Sequence, residues 1–214
     1  MMGTSTARRV ALVGGGAGAG ACSVALSLAA ALMQQGQDVL LLDERSSPQR
    51  VPPARGGQLV LVNAVPGSDG ALSSLAAGAD HIVVVCAARS DAITQTYLCI
   101  KKLHHFHALA NLRVLVNEVA DPARAGCLFT NLAATGSHYL GLTIRLAGFV
   151  RADPFVAHAR QLNLSVVQTF KASAAAQDFL LIASDLVAWP CEAAAGQDPR
   201  LMAGHALQLH AGAH

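Results

Sequence analysis

Gly14, Gly15, Gly16, Gly18 and Gly20 follow a short apolar run, Val10–Val13, and precede a long Ala/Leu segment. Glycines placed this way let backbone N–H groups turn toward a phosphate at a helix N-terminus. The phosphate-loop pattern is G-x-x-x-x-G-K-[ST], and Gly15 to Gly20 fits its first six places. The next two places call for a lysine that holds phosphate and a hydroxyl that meets magnesium. Here they are Ala21 and Cys22. Ser23, one place later, is a hydroxyl that a one-residue shift would bring into the magnesium role.

A dinucleotide-binding turn competes for the same glycines, because Gly14-x-Gly16 follows a strand, Ala19 can serve as a third small residue and Glu44 is acidic. Glu44 stands 25 residues after Ala19, whereas that fingerprint wants its acid about 20 residues on. The spacing disfavours it. Elsewhere, His104, His105 and His107 cluster without a cysteine or carboxylate at ligand spacing, which reads as a solvated helix end rather than a metal site. Five cysteines (Cys22, Cys86, Cys99, Cys127, Cys191) are scattered singly, as in a reduced, cytoplasmic protein that uses them as small core residues.

The elements that must position these residues alternate. A strand ending at Asp43 follows the Ala/Leu helix; Gln58–Asn63 is a buried strand, and Pro66-Gly67 with Ser68 and Asp69 makes a turn and helix start. His81–Cys86 is apolar without alternation, hence covered on both faces. Ser90 and Asp91 are expected to cap a helix over Ala92–Leu103. Leu112–Asn117 reads as a strand, Pro122–Ser137 as a helix and Leu142–Phe149 as a strand. Asp153-Pro154 opens a short helix to Leu162, Ser165–Thr169 reads as a short edge strand, and Ser173 begins a helix to about Ala188. Strands alternating with helices and no hairpin signals give an α/β fold: a mainly parallel sheet in a three-layer αβα arrangement. Residues 1–190 are expected to form one domain, with a mobile Ala/Gly/His-rich tail over 191–214.

Composition narrows the classes. Hydrophobic residues make up 53% and charged residues 13% of 214, so the chain is not disordered. A net charge of +2 without a basic stripe argues against nucleic acid. Arg8-Arg9 before apolar Val10–Met33 imitates a membrane span, yet glycines break its start and a strand follows directly, so it reads as a buried helix.

Set in order, these segments resemble the MinD/ParA superfamily of deviant-Walker P-loop ATPases. The family pattern K-G-G-V-G-K-T falls on Gly16-Ala17-Gly18-Ala19-Gly20-Ala21-Cys22, its later glycine on Gly36 and its strand-ending aspartate on Asp43. Asp80–Val85, Asp91-Ala92-Ile93-Thr94-x-x-Tyr97, Leu115-Val116-Asn117, Gly148-Phe149-Val150-x-x-Asp153 and Ser173-x-Ala175-Ala176-x-x-Phe179 are similar to the flagellar-number regulators FlhG/FleN.

The resemblance implies a P-loop NTPase fold and a set of departures from its chemistry. Gly16 replaces the lysine that reaches across a dimer, Ala21 the phosphate-holding lysine, Cys22 the magnesium hydroxyl and Asn63 the Walker-B-like aspartate. Asp43 matches a switch-I carboxylate, Asn117 an adenine-reading asparagine, and Asp153 a loop beside the base. Hydrolysis is expected to be lost, since it depends on lysine and magnesium. Weak, magnesium-independent ATP or ADP binding through Gly18 and Gly20 stays open. The implied function is regulation of flagellar biosynthesis by binding a protein, such as a flagellar regulator or a related GTPase or ATPase. A homodimer is open, and no stable membrane anchor is implied. The alternatives are a working ATPase with an altered loop, and a relative serving cellulose export, secretion or partitioning.

Overall fold

In the computed structural model, which describes residues 7–46, 54–107, 109 and 111–190, six parallel strands form one sheet in the order β2-β3-β1-β4-β5-β6. The strands are β1 (Arg8–Gly14), β2 (Val39–Asp43), β3 (Leu59–Ala64), β4 (His81–Ala87), β5 (Leu112–Val119) and β6 (Arg145–Arg151). Every residue of β3 and β4 is buried, as their unbroken apolar runs demand of strands covered on both faces.

Helices supply that cover. On one face α1 (Ala21–Gln34), α5 (Pro154–Gln161), α6 (Val166–Thr169) and α7 (Ala174–Ala188) bury Leu28, Leu32, Phe179 and Leu186 against Val10, Leu12, Val83 and Leu115. On the other, α2 (Ser74–Ala77), α3 (Ser90–Phe106) and α4 (Pro122–Leu140) bury Ile100, Leu103 and Leu132 against Ala11, Val13, Val84 and Val114. The expected three-layer αβα arrangement is present.

Three local expectations need correction. Ser165–Thr169 is not an edge strand: the Ser165 side chain accepts from the backbone N of Gln168 and starts α6, which buries Val166 and Val167. Two consecutive β-branched residues suited either form, and the serine cap decided for the helix. The helix after Pro66 begins only at Ser74, capped by Ser73, because Asp69 turns back onto the N–H of Ala71 instead. Ser90 and Asp91 are inside α3, whose start at Arg89 has no side-chain cap. Asp153 and Ser173, expected to open their helices, do cap α5 and α7, and Asp121 caps α4. The tail expected over 191–214 lies outside the described residues.

Phe179 is 1% exposed at the centre of the face that carries α1 and α7. Phe179→Ala should lower the unfolding free energy by about 3–5 kcal/mol, read from urea denaturation.

Candidate functional site

The glycine turn stands at the C-terminal end of β1, at the switch between strands added on either side, where open α/β sheets bind ligands. Gly15 N–H donates to Val85 O at 2.9 Å, pinning the turn to β4. Gly18 and Gly20 have φ of +71° and +83°, a left-handed backbone that glycine adopts without steric cost. Gly20 caps α1 without a side-chain hydrogen bond. The N–H groups of Gly18, Gly20, Ala21, Cys22 and Ser23 have no backbone acceptor among the described residues. The turn therefore keeps donors aimed outward at a helix N-terminus, the arrangement that holds anions.

Around it, the side chains make a different site from the one the pattern calls for. Asn63 ends β3, is 2% exposed, and donates through Nδ2 to Cys22 Sγ at 3.1 Å and Asp43 Oδ1 at 2.9 Å. The reverse orientation would set its Oδ1 against a carboxylate, so Asp43 fixes the amide. Asn63 Oδ1 is left buried without a partner among the described residues. Magnesium takes oxygen ligands in near-ideal octahedral geometry, and a thiol and carboxylate bridged by an amide N–H do not fit it. Ser23 is half-buried in the first turn of α1 and has no side-chain hydrogen bond among the described residues.

The residue pattern does not signal how closely α3 covers the loop. A Cβ on Gly16 would sit only 2.9 Å from Gln95 Cβ, and one on Gly15 only 3.1 Å from Thr96 Cβ. Arg89 Nη2 donates to Ala17 O at 3.4 Å, and Cys99 Sγ donates to Gly14 O at 3.8 Å. Burial pushes the Cys99 thiol up to about 11, so it faces the loop as a neutral donor. Between the loop, the segment after β3 and α3 lies a cavity of about 340 Å³ walled by Gly15, Gly16, Ser68, Gln95, Cys99 and Lys102. Ala21, Asn117 and Asp153 are not among its walls. The signal that marks α3 is the pair Gln95/Cys99, four apart and flanking the buried stripe Ala92, Thr96, Ile100, Leu103.

Asn117 and Asp153 separate in role. Asn117 Nδ2 donates to Ala19 O at 3.1 Å, tying β5 to the turn, while its Oδ1 has no partner among the described residues. Asp153 faces its own helices: Oδ1 accepts from Phe155 N at 2.9 Å and Oδ2 from Ala175 N at 3.0 Å, joining the starts of α5 and α7. Gly16, Gly18, Gly20, Ala21, Cys22 and Ser23 thus share one turn with Asp43, Asn63 and Asn117 against it, and Asp153 stands apart.

No family model matches the chain. It is 29% identical over 135 residues to the antiactivator FleN of Pseudomonas aeruginosa, a match covering 63% of this chain and 48% of that protein. The matched stretch therefore spans about half of that relative. Among solved structures, the MinD cell division protein of Aquifex aeolicus aligns with a TM-score of 0.64 at 16% identity, over 87% of this chain and 99% of that one. A ParA family ATPase from Chlorobium tepidum aligns with a TM-score of 0.60 at 12% identity, over 84% and 99%. The chain has the P-loop NTPase fold of the MinD/ParA superfamily. Its sequence is similar to FleN over the matched stretch alone.

Burial raises the pKa of Asp153, but the backbone donors Ala175 and Phe155, helped by Ser173 and Ala174, outweigh it and hold the carboxyl below its ordinary value. The stabilisation is then complete above the unfolded carboxylate value, about 3.9, and fades as pH falls through the lower folded value. Asp153→Ala should cost about 1 kcal/mol at pH 6. Denaturant titrations of the two proteins should converge as pH drops below about 4.

Proposed function

We propose that this chain is a FleN-like regulator of flagellar biosynthesis that works in the cytoplasm by binding another protein, and that it has lost ATP hydrolysis. The observation that carries the loss is the Asn63 bridge to Cys22 and Asp43, where a hydrolytic site needs metal and its water. Ala21 adds no cation to offset phosphate charge. The flagellar assignment rests on the similarity to a protein described as an antiactivator. Among the described residues no helix is long and apolar enough to cross a membrane, in keeping with a diffusible regulator.

The fold then acts as a scaffold for a partner surface. The outer faces of α3 and α7 suit this, with Leu98 and Leu181 exposed on them. The outward N–H groups of the glycine turn support weak, magnesium-independent binding of ATP or ADP.

Calorimetry with ATP should give at most weak binding that magnesium does not improve, and phosphate release should not rise above the buffer rate. Ala21→Lys, Cys22→Thr and Asn63→Asp combined should restore magnesium dependence to binding. Tight magnesium-dependent binding by the unaltered chain, with turnover abolished by Ser23→Ala, would instead establish a working ATPase with a shifted hydroxyl. A strain lacking the gene should change in flagellar number or placement; unchanged flagella would remove the flagellar assignment.

A further inference from the structure

At the end of the sheet opposite the glycine turn, four basic side chains stand in a row on four adjacent strands. Register pairs Val10 with His81, Val83 with Arg113, and Arg113 with Arg145. Side chains two apart share a face, so Arg8, His81, Arg113 and Arg145 all fall on the face covered by α1 and α7. They lie at the N-terminal ends of β1, β4, β5 and β6.

The row closes around Trp189, just after α7. The Arg113 guanidinium carbon is 4.0 Å from the Trp189 ring centre, and the His81 ring meets the indole edge-on at 5.2 Å. Arg8 Nη1 and Nη2 donate to Val187 O and Trp189 O at 3.0 and 2.8 Å, where the negative end of α7 welcomes a cation. That pairing leaves the rest of the row unexplained. Six buried side-chain polar atoms among the described residues lack a partner, and three are Arg8 Nε, His81 Nδ1 and Arg113 Nε. Arg113 is 8% exposed and has no carboxylate partner among the described residues; its one hydrogen bond is a long 3.5 Å contact with Leu146 O. Buried cationic donors normally meet acceptors.

We propose that this row is an anion site that takes one oxyanion group, a carboxylate or a sulfate- or phosphate-type group, between Arg8, His81 and Arg113, with Arg145 at its rim. Pro190 O lies 3.0 Å from His81 Nε2, and a carbonyl can only accept, so Nε2 carries the proton and Nδ1 holds a bare lone pair. Burial, Arg8 and Arg113 keep His81 below its ordinary pKa, against the opposing pull of Pro190 O and Asp80. An anion alongside offsets those two arginines and lets Nδ1 take a proton and donate. Burial, Arg145 and Arg8 likewise lower Arg113, so an anion relieves the whole row. Two sources share this chemistry: a free oxyanion, and the carboxylate of Glu192, two residues beyond Pro190 in the sequence.

Trp189 is the only tryptophan, so its emission reports the site. The full chain is titrated with sodium sulfate against sodium chloride at matched ionic strength. A saturable, sulfate-specific change in emission is expected, with its midpoint raised at least tenfold by Arg113→Gln. Arg145→Gln, at an exposed position that leaves the core untouched, should weaken the response several-fold. If the unaltered chain is silent and Glu192→Gln responds, the site exists and holds the chain's own carboxylate. Silence in both proteins overturns the proposal, as does a response that Arg145→Gln and Arg113→Gln leave unchanged.

Discussion

Strands that are buried on both faces leave little room for anything but small or branched apolar side chains, and this constraint shapes the whole molecule. Each strand pair satisfies its backbone groups within the sheet, and each face must then be roofed by helices. The roof over β1 is α1, whose Ala25, Ala29, Ala30 and Ala31 are all buried. Such a helix starts close against the sheet, so the chain leaving β1 has to reverse in a tight turn. Gly18 and Gly20 are the residues that make that reversal. The same geometry that closes the core therefore exposes a row of N–H groups at the head of α1.

Covering the second face has a different consequence. α3 sits beside β4, and β4 is the neighbour of β1. Arg89 just before it, and Gln95 and Cys99 along it, reach the loop directly. The loop is thus held on one side by β4 and β5 and on the other by a helix. What remains flexible in chemical terms is the choice of side chains at Ala21, Cys22 and Asn63, which the fold tolerates without a lysine, a hydroxyl or an acid.

Most of the fold was legible because its signals are local and agree with one another. Unbroken apolar runs such as His81–Ala87 declare a covered strand, and Asp153-Pro154 declares a helix start through a cap and a proline. Ser165–Thr169 was illegible as a helix because its two valines suit either form, and the choice came from one serine oxygen. The site was legible in part. Glycine spacing located the turn and the family resemblance pointed to Asp43 and Asn63, whereas the bridge from Asn63 to Cys22 joins residues 41 apart and needs the strand register to be seen. The partners of Asp153 were illegible for the same reason: its two oxygens accept from helix starts that only the packing brings together.

The close contact of Gly16 with Gln95 also limits the order in which this loop can change. Since a Cβ at position 16 would stand 2.9 Å from the Cβ of residue 95, no side chain can enter there while α3 keeps its place. A lysine at 16 becomes sterically admissible only after position 95 has lost its own side chain or α3 has moved outward. A mutational route to a lysine at position 16 is therefore gated by a neighbour on another helix.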